Sequence, residues 1–294
     1  MNNEYMVTPN AFTGTSTIHE FATGKNTIIE ATDLLAVSGN AYGVPIATKM
    51  HPSGDKYYVA NLLDQTVVCV SIKDPACSIP VENDIEDGNA DGLVSIKHIV
   101  LIGNVPNLRT LGDLAPMPTG AAGLLPIQTP VSPDGKYVVT ATLLPSITII
   151  DAETDELVLS LPCDAGCHGA NFGANVNDGY NAYVSSKFSN ALIVFDPAEA
   201  VAADTDGNGL IDGEEEFVLG KVLLSTGNMP DGLTDDTVTG LDGMGGQGVL
   251  ALPNIYGGWI EETVASTTLS TEVQGWINQL SDQQKNPYHP IPPE

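Results

Sequence analysis

Positive charge is what this chain has least of. Ten lysines and arginines stand against 37 aspartates and glutamates, a formal net charge of −27 over 294 residues. A field of that sign repels phosphate backbones and anionic lipid surfaces, so nucleic acid is set aside as a partner. Long apolar runs are missing too: no stretch of 18 or more apolar residues occurs, and nothing reads as a membrane-spanning helix. Residues 1–10 have neither the charged nor the apolar region of a signal peptide. Export would therefore imply a leader already removed or a longer precursor. Catalytic signatures are also lacking. There is no Gly-x-Ser-x-Gly and no His-Glu-x-x-His, and the run Gly243-Met244-Gly245-Gly246-Gln247-Gly248 has no preceding strand and following helix to make it a phosphate loop. A non-enzymatic role is favoured.

What is present is enough to fold. A hydrophobic content of 42% excludes disorder and supplies a core. The surplus of carboxylates is tolerable where cations bind it or a saline medium screens it, which points to Ca²⁺.

The organising signal is an internal repeat. One copy runs Pro52-Ser53-Gly54-Asp55-Lys56-Tyr57-Tyr58-Val59-Ala60-Asn61 and then Thr66 to Ile72. A second runs Pro133-Asp134-Gly135-Lys136-Tyr137-Val138-Val139-Thr140-Ala141 and then Ser146 to Asp151. A third, looser copy begins at Asp178-Gly179-Tyr180 and continues through Ala191 to Asp196. Each reads as turn, strand, turn, strand: the Gly-containing turn reverses the chain, and β-branched and aromatic residues follow. An outer strand is expected at 93–102, 157–161 and 217–224. An innermost strand is expected before each turn, as at 45–50 and 126–131. That makes four antiparallel strands per unit, an all-β chain and the content of a propeller blade.

An earlier partial unit at 5–10, 16–21 and 27–30 lacks its innermost strand, which 248–253 could supply to close a ring. The reading is a β-propeller over 1–258, with about four blades near 1–43, 44–105, 123–165 and 166–228. One short helix at 269–282 and a Pro-rich tail complete the segment 259–294. The repeats resemble the YVTN-type β-propeller family of secreted and surface-layer-associated proteins, whose core is Pro-Asp-Gly-Lys-Tyr-Val-Tyr-Val-Thr-Asn. The resemblance covers roughly 1–225. It implies an architecture, an extracellular, cell-surface or periplasmic setting and a protein partner or self-association, but no particular chemistry.

Two acidic loops interrupt the blades. Asp204-Thr205-Asp206-Gly207-Asn208-Gly209-Leu210-Ile211-Asp212-Gly213-Glu214-Glu215 follows the twelve-position Ca²⁺ pattern. Asp204, Asp206 and Asn208 supply oxygens at positions 1, 3 and 5, Leu210 a carbonyl at 7, Asp212 a ligand at 9 and Glu215 a bidentate carboxylate at 12. With strands on both sides, the loop stabilises rather than senses. A second loop carries Asp87, Asn89, Asp91 and Leu93, but its twelfth position is His98, so Glu82 or Asp84 would have to complete the shell.

Cysteine is scarce as well: four residues in two local pairs, Cys69 with Cys77 and Cys163 with Cys167. Even number and short spacing suggest disulfides and an oxidising compartment. The second pair stays open to three readings. With His168 next in sequence it is a disulfide ring, a copper site with Met229 or Met244 nearby, or a variant c-type haem attachment carrying one extra residue. The last two would make this an electron-transfer protein.

Overall fold

A computed structural model describes residues 4–36, 43–73, 76–78, 95–101, 125–143, 146–163, 166–175, 179–187, 191–207, 209, 218–223, 248–249, 271, 275 and 278–279. Within them lie four antiparallel sheets. The first has three strands in the order β1 (Tyr5–Asn10), β2 (Thr15–Glu20) and β3 (Asn26–Ile29). The second has β4 (Pro45–Met50), β5 (Lys56–Asn61), β6 (Thr66–Ser71) and β7 (Ile96–Val100). The third has β8 (Pro126–Gln128), β9 (Tyr137–Thr142), β10 (Ser146–Asp151) and β11 (Glu156–Pro162), and the fourth β12 (Cys167–Ala174), β13 (Tyr180–Ser186), β14 (Ala191–Phe195) and β15 (Val218–Leu223). In every sheet the spatial order follows the chain, the up-and-down connectivity of a propeller blade.

The blades stack side by side. β1 lies against β4, β4 and β5 lie against β8, and β8 and β9 lie against β12. Three apolar layers fill the spaces between them. Ile18 and Ile29 meet Tyr57, Val59, Val68, Val70 and Ile96 between the first two blades. Tyr58, Val67, Cys69 and Ile99 meet Val131, Val138 and Ile150 between the second and third, and Val139, Ile147, Ile149 and Leu159 meet Phe172, Ala182 and Val184 between the third and fourth. This explains the sequence pattern. β5 and β6 are covered on both faces and are buried at every position, so they carry near-continuous apolar runs; β2, with one face covered, alternates. Each fully buried Val or Ile contributes about 1.5 to 3 kcal/mol, so the layers between blades dominate stability.

The middle of the second interface departs from this rule. Thr140 opposes Thr148, Thr148 opposes Ser160, and the buried Thr129 stands at the edge of the same row. The hydroxyl oxygens of Thr129, Thr140 and Thr148 have no hydrogen-bond partner among the described residues. The same turn geometry in the second blade places valines there: Asn61 and Thr66 correspond to Thr142 and Ser146, and hence Val59 and Val68 to Thr140 and Thr148.

The first sheet lines up with strands two to four of a blade. Gly14 N–H donates to the Asn10 carbonyl at 2.9 Å and Gln65 N–H to the Asn61 carbonyl at 3.0 Å. Both turn residues are left-handed, with φ of 75° and 60°, and each asparagine amide reaches the threonine that starts the next strand. Gly248 and Val249 are the described part of the segment expected to close the ring, and the Val249 carbonyl accepts from Asn171 of β12 at 3.2 Å. The rest of 248–253 and nearly all of the expected helix at 269–282 lie outside the described residues.

Three expectations are refined. β8 ends at Gln128 because Pro130 has no N–H to continue the ladder, and pairing resumes only at a bridge from Val131 to Val138. The innermost strand of the fourth blade, β12, begins at Cys167, which places that cysteine in a strand; its Cys-His-Gly-Ala-Asn-Phe-Gly-Ala sequence has no β-branched residue, and pairing with β13 overrides propensity. Two short helices also appear, α1 (Ala31–Leu34) and α2 (Pro197–Ala202). The second has readable signals: Asp196 accepts from the N–H groups of Ala198 and Glu199, and Pro197 occupies the first turn.

The repeated glycine turns also join blades. His51 Nε2 hydrogen-bonds the Gly135 carbonyl at 2.9 Å, bridging the first turns of blades two and three. A Cβ on Gly135 would lie 2.8 Å from that ring nitrogen, and Gly135 sits at φ +75°. Gly135→Ala is expected to destabilise the protein by about 2 kcal/mol or more in urea unfolding, whereas Gly24→Ala, at φ +70° with open space around it, should show only the backbone cost of about 1 kcal/mol. Burial, opposed by the bond to Gly135, lowers the His51 pKa below its ordinary value. The folded state therefore resists protonation that the unfolded chain accepts. Stability from this residue is present above the unfolded value of about 6.5 and is lost as pH falls below it. His51→Gln should flatten the fall in stability between about pH 7 and pH 5 relative to wild type.

Candidate functional site

The acidic loop starts where α2 ends. Asp204 N–H donates to the Val201 carbonyl at 3.2 Å, and the chain then turns through left-handed Gly207 and Gly209, at φ 70° and 80°. Gly209 N–H donates to Asp204 Oδ2 at 2.7 Å. The first and sixth positions of the twelve-residue pattern are thereby drawn together. The Gly209 carbonyl accepts from Ser160 N–H on the free edge of β11 at 3.0 Å, pinning the loop to the neighbouring blade. Asp204 is half-buried and Asp206 exposed. Asn208, Leu210, Asp212 and Glu215 lie outside the described residues, as do all six candidates of the other loop, Glu82, Asp84, Asp87, Asn89, Asp91 and Leu93. His98 Nε2 pairs with the Asp33 carbonyl at 2.8 Å, tying β7 to α1.

Both cysteine pairs are disulfides, and no free cysteine remains. Cys69 ends in a buried corner behind β6: its partner Cys77 donates its N–H to Ser71 Oγ at 2.9 Å, as does Ala76. Cys163 and Cys167, with Cα atoms 6.3 Å apart, close a small ring at the β11 to β12 connection. A sulfur held in a disulfide offers no thiolate to copper and no thiol to a haem vinyl group, so this state of the pair is the structural one. His168 follows on β12, half-buried, and Met229 and Met244 lie outside the described residues.

The densest polar site escaped sequence reasoning. Asp155, in the turn between β10 and β11, is fully buried. Its Oδ1 accepts from Lys56 Nζ at 2.9 Å and from Tyr58 OH at 2.5 Å, and its Oδ2 accepts from Ser78 N–H at 2.7 Å. Lys56 Nζ also donates to the Ala152 carbonyl at 2.6 Å. Burial, reinforced by the neighbouring Asp155 charge, pushes the Tyr58 hydroxyl well above the usual phenol range, so it stays a donor. Three groups of blade two thus converge on one carboxylate of blade three, 77 to 99 residues away. The only sequence hint is Lys56 opening a largely apolar strand with Tyr58 two places on, and it names no partner.

The fold is that of a β-propeller built from antiparallel blades, with two disulfides and no detectable family signature. No protein-family model matches the sequence, and no curated protein does. Among solved structures, similarity extends to hydrazine synthase of Kuenenia stuttgartiensis (15% identity, 56% of this chain and 37% of that one, TM-score 0.36). It extends also to the Cps50 (Swd1) β-propeller domain of Myceliophteria thermophila (14%, 69% and 52%, 0.43) and to a putative 6-phosphogluconolactonase of Bacteroides uniformis (13%, 79% and 60%, 0.46). The chain spans between 37% and 60% of the length of these three. No helix among the described residues is long and apolar enough to cross a membrane.

Truncating the buried carboxylate tests its weight. Asp155→Ala leaves Lys56 charged and unpaired in a dry interface and is expected to cost about 3 to 5 kcal/mol in urea unfolding. Replacing the pair together, Lys56→Met with Asp155→Leu, should cost less than Asp155→Ala alone, because no buried charge is then left over.

Proposed function

We propose that this chain is a Ca²⁺-binding β-propeller of the secreted or cell-surface milieu, serving as a structural and binding module rather than an enzyme. The observation that carries the reading is the bond from Gly209 N–H to Asp204 Oδ2, which curls the start of the 204–215 loop in the sense a seven-oxygen shell requires. Asp204, Asp206, Asn208, the Leu210 carbonyl, Asp212 and Glu215 would hold the ion, and Ca²⁺ would supply charge neutralisation at a connection that enters β15. The loop at 82–93 would hold a second ion by the same chemistry. The net charge of −27 and two disulfides agree with a saline, oxidising environment. A protein partner, or a second copy of the chain, is the ligand class that a charged, catalytically bare propeller fits.

Calcium titration of the chelator-treated protein checks this. At a free concentration 100-fold above Kd, one ion bound only by the folded state adds about 2.7 kcal/mol, seen as a rise of about 5 °C or more in thermal midpoint. Asp204→Ala with Asp206→Ala should abolish the rise attributable to this loop. An unchanged midpoint in wild type across the titration would sink the proposal.

A further inference from the structure

The buried carboxylate of Asp155 has a second neighbour. One of its oxygens and the sulfurs of Cys69 and Cys77 all lie within 4.8 Å of one another, and all three residues are buried. They come from separate places: Cys69 from β6, Cys77 from the corner behind it and Asp155 from the next blade. A neutral disulfide asks nothing of an adjacent carboxylate. Two thiols, once the sulfurs joined in the disulfide have moved apart, would present, with that carboxylate, two sulfur donors and one oxygen donor within reach of one small ion.

We propose that Cys69, Cys77 and Asp155 form a zinc-binding site when their disulfide is open. Opening requires a two-electron reductant, in the natural setting a dithiol. Its thiolate attacks one cysteine sulfur to form a mixed disulfide, and its second thiol then displaces the cysteine. Two electrons pass to the protein as two thiols, and the reductant leaves as its own disulfide. Zn²⁺ then replaces the two thiol protons, which go to solvent. The exposed Ser78, next to Cys77, gives the corner its way to water.

Charge balance makes this buried position suitable. In the oxidised chain Lys56 and Asp155 cancel. Reduced cysteines without metal must stay protonated, because two bare thiolates cannot be held in a dry layer. Zn²⁺ with two thiolates adds no net charge to the Lys56 and Asp155 pair, and the cluster stays neutral in both forms. The donor set of thiolates and one carboxylate suits Zn²⁺ rather than Ca²⁺, and the fourth tetrahedral position is left to water. Asp155 is already held by Tyr58 OH and Ser78 N–H, the kind of outer partners that orient a ligating carboxylate. In either state the corner at 76–78 stays fastened: when oxidised, by its disulfide to β6 and by Ser78 N–H to Asp155 of blade three, and when reduced, through the metal to both.

Cobalt is the probe, because thiolate ligands give it an intense near-ultraviolet charge-transfer band that carboxylate loops cannot produce. The full-length chain carrying Cys163→Ser and Cys167→Ser, so that only Cys69 and Cys77 provide sulfur, is reduced with a phosphine, desalted without oxygen and titrated with Co²⁺. One cobalt per chain showing the band, displaced by Zn²⁺ and absent from the oxidised protein, is expected. Asp155→Asn should weaken cobalt binding at least tenfold while leaving both thiols in place. Absence of the band in the reduced protein, or equal affinity in Asp155→Asn, overturns the site. Should Asp155→Asn not fold, Cys77→Ser replaces it, with loss of tight binding expected and unchanged binding overturning the proposal.

Discussion

One buried carboxylate decides how the second and third blades meet. Asp155 is fully enclosed, so its charge would be costly by several kcal/mol if it stood alone. Lys56, Tyr58 and Ser78 satisfy both of its oxygens, and none of the three can do so unless the blades are in register. The contact therefore acts less as glue than as a positional key: a shift of the interface by one residue would strand two opposite charges in an apolar layer. Apolar packing alone is permissive of such slips, since Val138 and Ile150 would find other aliphatic neighbours.

Around this key the chain repeats one joint with variations. Blades one and two are tied by Ser16 Oγ sharing a hydrogen with Tyr57 OH at 3.0 Å, and by Thr48 Oγ1 donating to the Val7 carbonyl at 3.2 Å. Blades three and four are tied by Ala170 N–H donating to Gln128 Oε1 at 2.9 Å. Each interface is a largely apolar layer crossed by polar bonds that fix its register, most numerous between blades two and three. The apolar layers supply most of the stabilisation, and the polar bonds select one arrangement among those the layers would tolerate.

Much of the fold was legible because blade strands have a strong local grammar. Gly54 and Gly135 announce tight turns, the Tyr-rich and Val-rich runs after them announce strands, and Asn10 and Asn61 mark equivalent turns. Spacing suggested the Cys69–Cys77 disulfide, but it left Cys163 and Cys167 open between a disulfide and a metal or haem site, which the structure resolves as a disulfide. What could not be read was any pairing across a blade boundary. Asp155 looks like an ordinary turn aspartate beside Asp151 and Glu156, and only the packed blades show that Lys56 reaches it from 99 residues away. The innermost strand of the fourth blade was expected, but its bounds were hidden: the Gly, Ala and Asn residues of β12 disfavour a strand, and β13 imposes one. The Asp204 loop was legible because its ligand pattern is local, and its attachment to Ser160 was not.

The threonine row of the third blade gives the described arc a mechanical grain. Val59 and Val68 grip the first blade, whereas Thr129, Thr140 and Thr148 turn toward the second blade hydroxyls that have no partner among the described residues. Each such group forfeits solvation without gaining a bond, at about 1 to 3 kcal/mol, so adhesion in the middle of this interface is weak. The Asp155 bolt sits at one rim of it, on the face that also carries the His51 latch. On these contacts, separation under load or heat would start at the threonine row and pivot on the bolted rim.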